Sequence, residues 1–241
     1  CDWSSDVCSS DLTNYMKKNY HWLLAFWLAV GVAPAFAQSA TDEIAKYREM
    51  IADGNPSELY EAAGEDLWKT KMGPKNATLE KCDLGKGPGV VKGASAELPR
   101  YFKDTNRVQD LESRILTCME KLQGYDPKEI IALDFEKGKR KDVEAIVAYV
   151  VTYSKGSTIK ISNKHPKEKE MYEIGKRAFY FQGGPMDFSC ASCHGEDNKR
   201  IRLQDLPNIT TQKGAAMGFG SWPAYRVSSG NFWTMQRRLN D

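Results

Sequence analysis

The sequence has little net charge and no run of basic residues. Its 34 lysines and arginines nearly balance its 32 aspartates and glutamates, which leaves a formal net charge of +2 over 241 residues. Because a nucleic-acid surface needs concentrated positive charge, this composition argues against nucleic acid as a partner. The hydrophobic fraction of 41% and the charged fraction of 27% are typical of a globular protein with one large or two small domains.

Long apolar runs are absent beyond the N-terminal region. Met16 and two lysines precede an apolar segment that ends in Ala-Phe-Ala at 35–37, a pattern that predicts a signal peptide over 16–37 with cleavage before Gln38. An uncleaved anchor is the alternative, but a membrane span needs about 20 apolar residues, and Pro34 interrupts this segment. We therefore expect an exported protein with no membrane span in its mature form.

Residues 1–15 are acidic and contain cysteine, unlike any signal peptide, so we interpret them as a non-native leader. Four cysteines then remain in the mature chain: Cys82, Cys118, Cys190 and Cys193. In an oxidising compartment an even number of cysteines indicates disulfides. Their spacing separates a close pair from a distant pair, so we expect the two pairs to have different roles.

Helical periodicity dominates the mature chain and predicts a mainly α-helical fold. Amphipathic helices are predicted over 57–70, 104–124, 141–156 and 167–183. Residues 157–166 are polar and end in proline, which predicts a linker between a first domain, 38–156, and a second domain, 167–241.

The two halves resemble each other. Gly64 and Trp68 lie one helical turn apart in the first half, and Gly175 and Phe179 lie one turn apart in the second. Such a pair lets two helices cross closely, as the terminal helices of a small cytochrome c do. Two tandem cytochrome c-like domains are therefore predicted, although a coincidence between two amphipathic helices would give the same spacing.

The clearest motif is Cys190-Ala-Ser-Cys193-His194, which matches the attachment signature of c-type haem. Two thiols at this spacing add to the two vinyl groups of one porphyrin, and the adjacent imidazole binds the iron. A zinc site would need a second pair of ligands, and a redox dithiol would need a βαβ context that is not seen. We therefore predict one covalently attached haem c, with His194 as an iron ligand.

The first half lacks this motif, since Cys82 is followed by Asp-Leu-Gly85-Lys86. Gly85 is predicted to replace the second thiol and Lys86 the histidine, so the first domain is expected to be haem-free. Cys82 and Cys118 are then the two unassigned cysteines, and we predict a disulfide between them. Two buried free thiols remain the alternative.

The second axial ligand of the iron is left open by the residues themselves. An electron-carrying cytochrome would use methionine, and Met217 and Met235 lie downstream of the motif. Both are equally well explained as flexible core residues. His165 is a further option, although its position in a charged linker favours a solvated side chain.

Six further segments are distinctive. They are GKRAFYFQGGPMDFSCASCHG, RIRLQDLPNITTQKGAAMGFGSWPAYR and FWTMQRRLND in the second half, and KCDLGKGPGV, LPRYF and VQDLESRILTCM in the first. These segments resemble the SoxA family, the catalytic cytochrome subunits of periplasmic thiosulfate oxidation. The resemblance covers nearly the whole mature chain, and the chain resembles the single-haem branch, in which a disulfide replaces the haem of the first domain.

The resemblance implies an L-cysteine S-thiosulfotransferase. Such a subunit pairs with the small cytochrome SoxX in the periplasm and joins thiosulfate to a cysteine of the carrier SoxYZ, with electrons passing through haem. An electron-transfer cytochrome without sulfur transfer is the alternative, and a haem-free interaction module a weaker one.

The resemblance also implies an active-site arginine four residues before a cysteine that ligates the iron. Arg238 fits this arginine, which places the cysteine directly after Asp241, where the sequence stops. We therefore expect a second domain truncated at its C-terminus and an inactive polypeptide as written. The dianionic substrate needs fixed positive charge, for which Arg202, Arg226 and Arg237 are further candidates.

Overall fold

The computed structural model describes residues 54–201 and 203–240, together with positions 42, 46, 47, 49 and 50. The predicted leader and signal peptide, Arg202 and Asp241 lie outside the described residues. The chain divides into two compact units, Cys1–Met50 and Ile51–Asp241. The described positions of the first unit are helical and exposed, and the paragraphs below concern the second unit. No helix within the described part of the chain is long and apolar enough to span a membrane.

Helices dominate the second unit, as predicted, and three short hairpins join them. The helices are α1 (Ser57–Lys69), α2 (Leu111–Cys118), α3 (Pro127–Ile131), α4 (Gly138–Thr152), α5 (Pro166–Tyr180), α6 (Cys190–His194), α7 (Gln212–Gly220) and α8 (Met235–Asn240). The strands are β1 (Arg100–Phe102), β2 (Arg107–Gln109), β3 (Arg200–Ile201), β4 (Gln204–Asp205), β5 (Ala224–Arg226) and β6 (Asn231–Trp233). Each hairpin is antiparallel, with Tyr101 opposite Val108 and Tyr225 opposite Phe232. The prediction of one helix over 104–124 is wrong at its start, where β2 and the cap of α2 lie.

The core lies in the first half, where α1 crosses α4. A Cβ added to Gly64 would lie 2.0 Å from the carbonyl oxygen of Ala145, so only glycine allows this close approach. One turn later the Trp68 ring packs against Tyr149, with ring centroids 5.9 Å apart. The glycine-aromatic pair predicted in the first half therefore does mediate a close helix crossing.

The predicted disulfide between Cys82 and Cys118 is confirmed. The two Cα atoms are 5.6 Å apart, and the residues are separated by 36 positions in the sequence. Both cysteines are buried in the core cluster. The bond ties the loop after α1 to the end of α2.

One tight turn occurs in both halves. An isolated β-bridge joins Met72 to Ala77 in the first half, and another joins Gly183 to Phe188 in the second. Both turns read Gly-Pro-x-Asn/Asp at the same places, with the glycine and the Asn/Asp at positive φ. The second turn leads directly into the haem-attachment motif. Counting from the first turn therefore shows which residues of the first half correspond to that motif.

This register corrects one prediction. Counted from the turn, Leu79 corresponds to the first cysteine of the motif, Cys82 to the second and Asp83 to the histidine. The prediction that Gly85 and Lys86 stand in for the second thiol and the histidine is therefore wrong. It aligned Cys82 with the first cysteine of the motif, whereas the shared Gly-Pro-x-Asn/Asp turn places Cys82 at the second.

The segment before α5 is largely exposed but is hydrogen-bonded to the first half. The amide of Lys160 donates to the carbonyl of Ala96 over 2.7 Å. The buried carboxylate of Glu168 accepts hydrogen bonds from the Ser162 hydroxyl, at 2.6 Å, and the Tyr101 amide, at 2.8 Å. These contacts fix where α5 begins relative to the hairpin β1–β2.

Candidate functional site

The attachment motif forms a single short helix, α6, with a reciprocal cap. The amide of Ser192 donates to the hydroxyl of Ser189, and the amide of Ser189 donates to the hydroxyl of Ser192. A cap of this kind satisfies amides at the helix start. Cys190 is exposed, Cys193 is half-buried, and both are free thiols on the same helical turn.

The imidazole of His194 is held in one orientation by the backbone. Its Nδ1 lies 2.9 Å from the carbonyl oxygen of Pro207. A carbonyl can only accept a hydrogen bond, so Nδ1 carries the proton and the lone pair of Nε2 remains available. A metal-binding histidine is usually oriented in this way by its second nitrogen.

Pro207 is held in turn by its neighbours. The amide of Ile209 donates to the carbonyl of His194 over 3.0 Å. The side chain of Asn208 donates to Asp197 and accepts from the hydroxyl of Thr210, at 3.0 and 2.6 Å. Sequence analysis missed Pro207, because its contribution is a backbone carbonyl and leaves no signal in residue type.

The second half buries little of its apolar surface. Among the described residues from 157 to 231, no large apolar side chain is fully buried, and a Cβ added to Gly175 would contact no atom within 4 Å. The exposed apolar side chains in this half include Met171, Ile174, Phe181, Met186, Phe188, Ile209, Met217 and Phe219. A porphyrin is large and apolar. This half offers it two free thiols, an imidazole with an available Nε2 and exposed apolar side chains, so the residues fit such a group.

The other ligand candidates differ in their surroundings. His165 caps α5, since its Nδ1 accepts from the Lys167 amide, and its ring stacks on Tyr101 at 3.7 Å between centroids. It is therefore not a solvated linker residue. Met217 is exposed on α7, and Met235 is the first residue of α8.

Arg238 lies on α8 with an exposed side chain, and its amide donates to the carbonyl of Thr234 over 3.0 Å. The neighbouring Arg237 forms an ion pair with Glu136 of the first half and stacks over the Trp233 ring. Arg226 also stacks over Trp233. Arg226 and Arg237 thus both have structural partners. The motif helix α6 lies against α5.

Two buried glutamates, Glu112 and Glu144, lie where α8 meets the first half. Thr234 donates to Glu112 over 3.0 Å, and Arg140 lies 3.4 Å from its other oxygen. Burial nevertheless raises the pKa of Glu112 above its usual range. Burial raises the pKa of Glu144 to about 7, against the hydrogen bond from the Glu136 amide. Sequence analysis missed these carboxylates, because glutamate on an amphipathic helix normally faces water.

The fold and the motif together define a c-type cytochrome. A family model described as "SoxA/TsdA, cytochrome c domain" matches residues 63–159. The chain is 57% identical over 225 residues to the L-cysteine S-thiosulfotransferase subunit SoxA of Hydrogenophilus thermoluteolus, covering 91% of this chain and 82% of that protein. It is 36% identical over 227 residues to a SoxA subunit of Hydrogenobacter thermophilus, covering 90% and 82%. The chain belongs to the SoxA family.

A solved structure shares the fold. The crystal structure of SoxXA from P. pantotrophus matches with a TM-score of 0.60 and 22% sequence identity, covering 76% of this chain and 63% of that chain. The match shows that the two chains share a fold over about three quarters of this chain.

Proposed function

We propose that this protein is the haem-bearing subunit of an L-cysteine S-thiosulfotransferase that conjugates thiosulfate to a cysteine of a SoxYZ-like carrier in the periplasm. The observation that carries the proposal is the 57% identity to a subunit of that name. The free Nε2 of His194, fixed by the Pro207 carbonyl, supports the haem that such chemistry requires.

The residues of α6 would hold the haem. Cys190 and Cys193 would form the two thioether bonds, and His194 would ligate the iron through Nε2. A bound haem c supplies a one-electron acceptor. The hydrogen bond to Pro207 keeps the imidazole from rotating and makes Nε2 a stronger iron ligand.

The reaction needs two electron acceptors and a site for an anion. The terminal sulfur of thiosulfate forms an S–S bond with the thiol of the carrier, and one proton and two electrons are released. Because one haem accepts a single electron, a second haem in a SoxX-like partner is expected to take the other. Positive charge is needed beside the sulfonate group, and a guanidinium suits its oxygens.

Arg238 is the proposed catalytic arginine. The hairpin β5–β6 leads into α8 as β1–β2 leads into α2, with Tyr225 and Tyr101 at the same register position. In this shared register Arg238 corresponds to Arg114, and Cys118 corresponds to the position after Asp241. The spacing of four residues between Arg114 and Cys118 is the spacing that the resemblance implies for the active-site arginine and its cysteine, which supports the assignment of Arg238.

We also propose that the chain consists of two tandem cytochrome c-like domains, of which 38–156 is haem-free and 167–241 carries the haem. The repeated turn and the repeated hairpin-helix unit support this division. The family model matches residues 63–159, almost all of which lie in the first domain, although that domain lacks a complete attachment motif.

The test uses the full-length holoprotein in complex with its cytochrome partner, with thiosulfate and the carrier as substrates. We expect Arg238→Ala to abolish conjugate formation, measured by the mass of the carrier, and Arg238→Lys to retain a small part. Covalent haem should remain in both variants. Lys213→Ala removes an exposed cation of α7 and serves as the control with full activity. Unchanged turnover in Arg238→Ala would refute the assigned role.

A further inference from the structure

The start of α8 is anchored in the first half by a single buried hydroxyl. Thr234 is fully buried, and its hydroxyl accepts a hydrogen bond from the Arg237 amide at 3.2 Å. The same hydroxyl donates its one proton to Glu112 over 3.0 Å. Thr234 and Glu112 are 122 residues apart in the sequence, so this hydrogen bond joins the two halves.

Glu112 is itself firmly placed. It lies in the first turn of α2, where a carboxylate is favoured by the helix dipole. Arg140 approaches its second oxygen to 3.4 Å and stacks over the Phe135 ring. The opposite end of α2 is tied down by the disulfide at Cys118. The acceptor for Thr234 therefore belongs to a rigid part of the fold.

A second contact restrains the same turn of α8. Arg237 pairs with Glu136 and lies over Trp233, at 4.2 Å from the ring centroid. The Phe232 ring stacks on Tyr60 of α1, at 5.1 Å. The strand and the first helical turn that precede Arg238 are thus docked on the first half.

We propose that Glu112 is a positioning residue for Arg238, acting through the hydroxyl of Thr234. This inference rests on the proposed function, because it assumes that Arg238 binds the sulfonate group. The amide of Arg238 bonds to the carbonyl of Thr234, so a displacement of Thr234 displaces the backbone that carries the guanidinium. The first half then serves catalysis by setting the geometry of an arginine in the second.

The decisive variants change the hydroxyl and little else. Thr234→Val has nearly the same shape but cannot donate to Glu112, whereas Thr234→Ser can. We expect Thr234→Val to lower the rate of conjugate formation by up to about 100-fold, because a misplacement of about 1 Å can cost that much. Thr234→Ser should restore most of the rate. Thr152→Val is the matched control, since the Thr152 hydroxyl bonds only within α4, to Ala148.

Glu112 is tested in the same way. Glu112→Gln keeps an oxygen that accepts from Thr234, while Glu112→Ala removes it and leaves a buried hydroxyl without an acceptor. We expect activity to depend on the presence of this acceptor oxygen. Glu112→Gln should be close to wild type, and Glu112→Ala should be close to Thr234→Val. If Thr234→Val does not fold, this pair of variants decides the question.

A double variant separates positioning from general loosening. If Thr234 acts through Arg238, Thr234→Val should add nothing to the residual rate of Arg238→Lys. An equal further loss in the Arg238→Lys background would overturn the inference, as would wild-type activity of Thr234→Val. If Arg238→Ala itself is fully active, the proposed role of Arg238 fails and this inference fails with it. If Thr234→Val is fully active but Arg238→Ala is inactive, this inference fails and the proposed function stands.

Discussion

Removal of the Cys82–Cys118 disulfide should strongly destabilise the protein while leaving the haem in place. The bond closes a loop between residues 36 positions apart, and the chain-entropy model gives about 4 kcal/mol for a loop of this length. Both sulfur atoms are buried, and each one removed costs about 1 kcal/mol more in lost packing. The double variant Cys82→Ala/Cys118→Ala should therefore lose about 4–6 kcal/mol, a large part of the typical stability of a domain.

Denaturant unfolding of the holoprotein measures this loss. Oxidised and reduced wild type should differ by about 4 kcal/mol, because reduction removes the cross-link and keeps both sulfurs. The reduced wild type and the double variant should then differ only by the packing contribution. Haem content should stay constant, since Cys190 and Cys193 lie in the other half. A reduced wild type as stable as the oxidised protein would contradict the argument that the cross-link stabilises the first half.

Two buried carboxylates predict opposite effects of pH on stability. Burial raises the folded-state pKa of Glu144 to about 7, so the folded protein favours the protonated carboxyl. The stabilisation from this group is complete below about pH 4.5 and is lost as the pH rises to 7. Glu144→Gln should remove this pH dependence of the free energy of unfolding and should stabilise the protein by up to about 3 kcal/mol at pH 8, measured by urea unfolding. An unchanged pH dependence would contradict this prediction. For Glu168, burial opposes ionisation, but hydrogen bonds from Ser162 and from backbone amides lower the pKa to about 2. Glu168→Gln should cost about 1–3 kcal/mol at pH 7 and much less near pH 2; an equal loss at both values would refute this account.

The parts of the fold that local sequence determines were predicted well. The helices over 57–70 and 141–156 have strong amphipathic periods, and the structure contains α1 and α4 there. The disulfide followed from elimination among four cysteines and is confirmed. Each of these predictions depends on residue type and spacing within a short segment or on a simple count.

The parts that tertiary contacts determine were not predicted. Residues 104–110 continue the apolar spacing of α2, but a turn with Asn106 at positive φ folds them back as the hairpin β1–β2. The register of the first-half motif depended on the turn at 72–77, whose equivalence to the turn at 183–188 became clear only from the matching bridges. Glu112 was overlooked because its partner Thr234 is 122 residues away, and Glu144 because glutamate on an amphipathic helix normally faces water.

The two halves use one position for different covalent chemistry. Cys82 corresponds to the second cysteine of the attachment motif, yet it bonds to Cys118 at a Cα–Cα distance of 5.6 Å. At that distance the segment that carries Cys82 and the end of α2 are in direct contact, which leaves no room between them for a porphyrin plate. Leu79, at the position of the first thiol, is fully buried in the core. Asp83, at the position of the histidine, instead accepts hydrogen bonds from the amides of Gly85 and Gly87. Side chains and a disulfide therefore fill the first half, which supports the proposal that it is a haem-free domain and that its rigidity serves to hold α8.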